Sequence, residues 1–138
     1  MKATELVHQY HAKTITAREL VEGVWVDAKC FKEDRYHPAK DGTWVDYVIR
    51  CYDNRIDLVC MASKAAAWAA AADFTISRIE EIRQVKEEIA LLRGLVILLN
   101  EEPGDLSTPA WLRVITREQS ALAELSRGVR PEVLNGTR

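Results

Sequence analysis

The chain has 138 residues, enough for one core and too few for two, because halves of that size would bury too little surface. Apolar residues make up 48% and charged residues 29%, a globular composition far from the low-hydrophobicity signature of disorder. Lys and Arg total 19 against 21 Asp and Glu, spread evenly along the chain, so no polycationic stretch advertises nucleic acid, whose phosphates usually call for a basic stripe.

Residues 1–22 suggest short helices, Thr4–His11 and Thr16–Glu22, with Thr14 or Thr16 as N-cap and Gly23 as the stop. The pair can be read as a helix-turn-helix, although its second helix is net acidic, with Glu19 and Glu22 against Arg18. Met1–Tyr10 carries His and Glu among its apolar residues and lacks the continuous apolar run of a signal or anchor, so a cytoplasmic location is expected. His8 and His11 share a helical spacing, but no CxxC-type cluster completes a zinc site, and neither a metal nor a cofactor is expected.

Residues 23–62 carry a two-residue period. Val24, Val26, Ala28 and Cys30 alternate with Trp25, Asp27, Lys29 and Phe31, which predicts a first strand from Gly23. Glu33–Gly42, with His37-Pro38 and Asp41-Gly42, reads as a polar loop. Thr43–Tyr52 reads as a second strand, Asp53-Asn54-Arg55 as a turn, and Ile56–Met61 as a third strand. Trp44, Val48, Cys51, Tyr52 and Val59 also fit a helical spacing, so a helix across 43–62 is the alternative to this antiparallel meander. Trp25 and Trp44, opposite the Val/Ile/Cys set, would form with Phe31 an aromatic face fit for a protein partner, unless the sheet is covered on both sides.

Residues 63–128 predict a long antiparallel two-helix hairpin, followed by a tail over 129–138. Ser63 is an N-cap and seven alanines follow within Lys64–Ala72, predicting a helix from about Ala65 to Asn100 with a bend or break allowed at Asp73 or Thr75. Pro103-Gly104 ends it, and Thr108-Pro109 opens a second helix running to about Arg127, with Trp111, Ile115, Leu122 and Leu125 as its stripe and Gly128 as its stop. The architecture expected is therefore α+β in a single domain, 1–138.

Within the long helix, Ile82, Ile89 and Val96 recur at heptad a positions and Val85, Leu92 and Leu99 at d positions. Glu81 and Glu88 then fall at g, with Lys86 and Arg93 at e, giving opposite-sign pairs across a parallel dimer. Self-association through Ile82–Leu99 is the expectation, against the alternative that the same residues face the chain's own core. Leu91, Leu95, Ile97 and Leu98 add apolar surface outside that seam.

No glycine-rich phosphate loop, Gly-x-Ser-x-Gly elbow or His-Glu-x-x-His occurs, so the expected function is non-enzymatic binding. Cys30, Cys51 and Cys60 are expected as free thiols, and the longest apolar run, Leu95–Leu99, is far below the ~20 residues of a membrane span. The stretch Thr108-Pro-Ala-Trp-Leu-Arg-Val-Ile-Thr-Arg-Glu-Gln-Ser-Ala-Leu-Ala-Glu-Leu resembles the C-terminal helices of some phage small terminase subunits, over under a third of the chain. That resemblance implies DNA binding in packaging as one alternative function. A small-ligand binder with a pocket between sheet and helices is the other.

Overall fold

A computed structural model describes residues 2–37, 42–100 and 109–135, with side chains described at 2–34, 45–95 and 112–135. The elements are α1 (Ala3–His11), α2 (Ala17–Val24), β1 (Lys29–His37), β2 (Gly42–Cys51), β3 (Ile56–Met61), α3 (Lys64–Asn100), α4 (Pro109–Leu125) and α5 (Pro131–Asn135). This is the expected α+β order of short helices, a three-stranded antiparallel sheet in the order β1-β2-β3, and two further helices.

Packing divides the chain into two compact units. One holds Met1–Ser77 together with Gly128–Thr137, and the other holds Arg78–Arg127, so α3 contributes to both.

In the first unit, α2 begins with a capping box. The Thr16 hydroxyl accepts from the Glu19 amide at 3.1 Å while the Glu19 carboxylate accepts from the Thr16 amide at 3.1 Å, satisfying two helix-end donors at once. The predicted stop at Gly23 is not used. The helix continues to Val24, and a Cβ at Gly23 would lie 3.3 Å from the Leu6 side chain, so the missing side chain lets α1 approach instead of ending α2.

That extension to Val24 overrides the alternation read from Gly23. Trp25 caps α2, its amide donating to the Val21 carbonyl at 2.9 Å, and β1 starts only at Lys29. At its other end β1 runs through Glu33–His37, which the polar composition had marked as loop. The ladder continues to His37↔Gly42, because strand pairing satisfies the backbone whatever the side chains. Residues 43–61 are strands rather than the alternative helix, with a β-bulge at Ile49/Arg50.

The β2–β3 turn bends through three successive left-handed residues, Tyr52, Asp53 and Asn54, at φ 56°, 53° and 63°. Asp and Asn tolerate that region by bonding locally, whereas Tyr52 is an uncommon occupant. Arg50 staples the three strands together, its Nε donating to Asp57 at 2.8 Å and its Nη1 to Glu33.

Val48 and Ile49 are neighbours on β2, hence on opposite sheet faces, and both are fully buried, so the sheet is covered on both sides at that level. α3 is continuous through Asp73 and Thr75. Ala67, Ala71 and Thr75 follow one another at four-residue spacing on one fully buried stripe. Instead of breaking the helix, the Thr75 hydroxyl donates to the Ala71 carbonyl at 2.6 Å.

The described part of the expected tail, residues 129–135, is tied into the first unit. The Val26 amide donates to Gly128 and the Arg130 amide to Val24, both at 2.8 Å, around an antiparallel bridge between Trp25 and Val129. α5 then inserts Val133, which is buried.

In the second unit, Arg78 Nη1 donates to the Leu125 carbonyl at 3.1 Å, and Glu88 hydrogen-bonds Glu118. The partner on α4 moves backward as α3 advances, so the two helices run antiparallel, as expected of a hairpin. Ile79, Ile82, Ile89 and Ile115 are buried in this unit. No described helix is long and apolar enough to cross a membrane.

Candidate functional site

The seam expected for self-association is only partly open. Ile82 and Ile89, at the a positions, are buried by their own chain, while Val85 and Leu92, at the d positions, are half-buried. The physical reason is that an antiparallel hairpin uses the same apolar stripe that a coiled coil would. The side chains of Val96 and Leu99 lie outside the described residues, as do those of Trp44 and Trp111.

Of the charges flanking the seam, Glu88 is engaged within its own chain. Glu88 faces Glu118 of the same chain, and this hydrogen-bonded carboxyl pair holds Glu118 above its ordinary range. Glu81 and Arg93 are exposed and Lys86 is half-buried. Arg83 bridges Glu80 and Glu87 at helical spacing, so these carboxylates are solvated partners of one arginine and not an acid/base couple.

What the hairpin leaves open is a different face. Leu91 is 75% exposed and Leu95 51%, four residues apart on α3 and turned away from the Ile82/Ile89 stripe. Leu112 and Val114 are exposed on α4. Of the six exposed large apolar residues among those described, these four lie in the second unit, the others being Tyr52 and Met61.

Of the expected aromatic face, Trp25 lies in the core. Trp25, placed on the solvent side by the strand reading, has 0% exposure. Its indole Nε1 donates to the Thr75 hydroxyl at 2.8 Å, and its ring stacks on Phe74 with centroids 6.0 Å apart. The longer α2 rotates the residue into the core, where its N–H needs a partner and finds one.

Phe31 remains half-buried. The Arg50 guanidinium lies 5.5 Å from its ring centroid, and the residue lines a cleft of about 470 Å³. The cleft is confined to the first unit: α2 supplies Arg18 and Glu22, the chain from Asp27 to Phe31 forms one wall, α3 supplies Lys64 and Trp68, and Arg130 comes from the C-terminal segment.

The electrostatics of this cleft are set by which charges are already satisfied. Glu22 takes Arg18 Nε on its carboxylate at 2.9 Å and Arg130 Nε on its backbone carbonyl at 3.0 Å. Lys29 and Lys64 make no ion pair among the described residues, and Asp27 sits in a left-handed turn at φ 51°. Burial pushes the Cys30 thiol above its ordinary pKa, with Lys64 and Arg18 pulling the other way.

Trp68 is 7% exposed, with the Arg18 guanidinium 5.2 Å from its ring centroid. Its indole nitrogen is buried without a hydrogen-bond acceptor among the described residues, a state that costs about 1–3 kcal/mol. Sequence reading missed this group because its members come from four separated segments, none of which carries a motif. The one available signal was the pair of lysines beside short apolar stretches.

Among the described residues no three His, Cys, Asp or Glu side chains come together as metal ligands, and the three cysteines are free. Comparison with protein-family models, with curated proteins and with solved structures finds no match to this chain.

Proposed function

We propose that this protein is a non-enzymatic interaction protein that self-associates through the outward leucine ridge of its helical hairpin. The observation that carries the reading is the exposure of Leu91 and Leu95 on one face of α3, with Leu112 and Val114 open on α4. Isolated exposed leucines are ordinary, but two at four-residue spacing on one helix form a continuous ridge.

A twofold pairing covers two copies of each ridge leucine, one from each protomer. At about 2 kcal/mol for a fully buried leucine, the exposed fractions of Leu91 and Leu95 give roughly 5 kcal/mol of gross gain. Association itself costs at least about 4 kcal/mol, so the leucine pair leaves little surplus, and further surface such as Leu112, Val114 and the half-buried Leu92 sets the affinity. The assembly is therefore concentration-dependent.

The test is absolute mass by light scattering over a range of protein concentrations, for the native chain and for Leu91→Glu/Leu95→Glu. The native chain is expected to pass from monomer to dimer as concentration rises, and the variant to stay monomeric with unchanged helical circular dichroism. A native chain that keeps its 15.7 kDa monomer mass up to the millimolar range defeats the proposal.

A further inference from the structure

We propose that the cleft between α2, the start of β1 and the first turns of α3 binds a small phosphate monoester carrying a flat ring. A volume of about 470 Å³ falls within the range of small-molecule sites, and all its walls belong to one compact unit.

The charge of the cleft points to the phosphate. Arg18, Lys29, Lys64 and Arg130 line it against Glu22 and Asp27, an excess of two positive charges in a chain whose net charge is −2. The excess is therefore a local concentration and not a reflection of a basic protein. Glu22 is occupied with Arg18, which leaves Lys29, Lys64 and Arg130 facing Asp27 as the only other carboxylate of the lining. A phosphate monoester carries about 1.5–2 negative charges at neutral pH and three strong acceptor oxygens, which matches both the charge excess and the supply of N–H donors.

The ring is inferred from the remaining lining. Phe31 and Trp68 are the aromatic members, Ala28 adds apolar lining, and the Arg18 guanidinium already covers the Trp68 face. The Arg18 side chain is 55% exposed and is the movable part of this wall. Lifting it opens an aromatic face for stacking, and the acceptor-less indole N–H of Trp68 belongs to the same wall. A macromolecular phosphate is disfavoured by the small size of the cleft and by the acidic balance of the whole chain.

Cys30 lines the cleft and Cys60 does not, so the full chain contains both a reporter and an internal control. The experiment follows alkylation of each cysteine by peptide mass spectrometry at mildly alkaline pH, with phenyl phosphate, adenosine monophosphate, inorganic phosphate, phenol or adenosine as probes. Phenyl phosphate or adenosine monophosphate at about 10 mM is expected to slow Cys30 alkylation about tenfold without affecting Cys60, while phenol and adenosine do little.

Lys29→Gln/Lys64→Gln, a surface change expected to leave the melting temperature unaltered, should abolish the protection. Equal protection by inorganic phosphate would overturn the ring, and equal protection by phenol or adenosine would overturn the phosphate. Failure of both aryl esters to protect Cys30, or full protection in the lysine variant, would overturn the site. None of these outcomes depends on the oligomeric state.

Discussion

Replacing Thr75 by valine tests the buried link on which the first unit is built. Thr75 and Trp25 are both fully buried, and the indole Nε1 donates to the threonine hydroxyl at 2.8 Å. Valine keeps nearly the same volume and a similar helix propensity, so the substitution removes one acceptor and little else. The Ala71 carbonyl, which also accepts from the hydroxyl, keeps its place in the helix ladder. The indole N–H is left in the core without that acceptor, at a cost of about 1–3 kcal/mol.

With a urea dependence of about 1–3 kcal/mol per molar, the unfolding midpoint should fall by roughly 1 M at constant slope. Far-UV circular dichroism during urea titration is the assay, since the helices report on unfolding in every variant of the set. Trp25→Phe supplies the control. It removes the donor and leaves the Thr75 hydroxyl bonded to Ala71, so Thr75→Val should cost about 1–2 kcal/mol less in the Trp25→Phe background than alone. A Thr75→Val midpoint indistinguishable from the native one, with no coupling in the double variant, would show that the hydrogen bond carries no net stability.

Gly128→Ala should destabilise by about 2–4 kcal/mol, because the residue sits at φ 79° and its new Cβ would lie 2.9 Å from Ile56 Cδ1. Thermal unfolding measures it, and an unchanged melting temperature would contradict the close packing of the C-terminal segment. Glu118→Gln addresses pH. The Glu88 hydrogen bond raises the folded-state pKa of Glu118, so the stabilising contribution is present below the ordinary carboxyl range and is lost as pH rises through the raised value. Glutamine keeps a donor without the charge, so the variant should be the more stable protein at neutral pH, with the difference shrinking on acidification. Parallel stability–pH curves for the two proteins would exclude the carboxyl pair as a titrating contact. The Leu91→Glu/Leu95→Glu mass measurement and the Cys30 protection assay complete the set.

Local chemistry alone was enough to place most elements. The Thr16…Glu19 capping box, the alanine run after Ser63, Pro109 and the Asp53-Asn54 turn each act over a few residues, and their elements stand within a few positions of where those signals put them. The three-stranded antiparallel order followed from strand length and turn chemistry in the same way. Burial was different, because a period of two or of seven says which residues share a face but not what that face meets. Trp25 moved from the surface to the core when α2 ran on to Val24 and made it the cap residue, and the packing of Leu6 against Gly23 is a contact between helices that no local pattern encodes. Ile82 and Ile89 are heptad residues by spacing and buried residues by tertiary structure. The cleft exists only because residues from four separated segments converge, and that convergence is set by long-range packing of α2, β1, α3 and the strand-like pairing of Val24–Val26 with Gly128–Arg130.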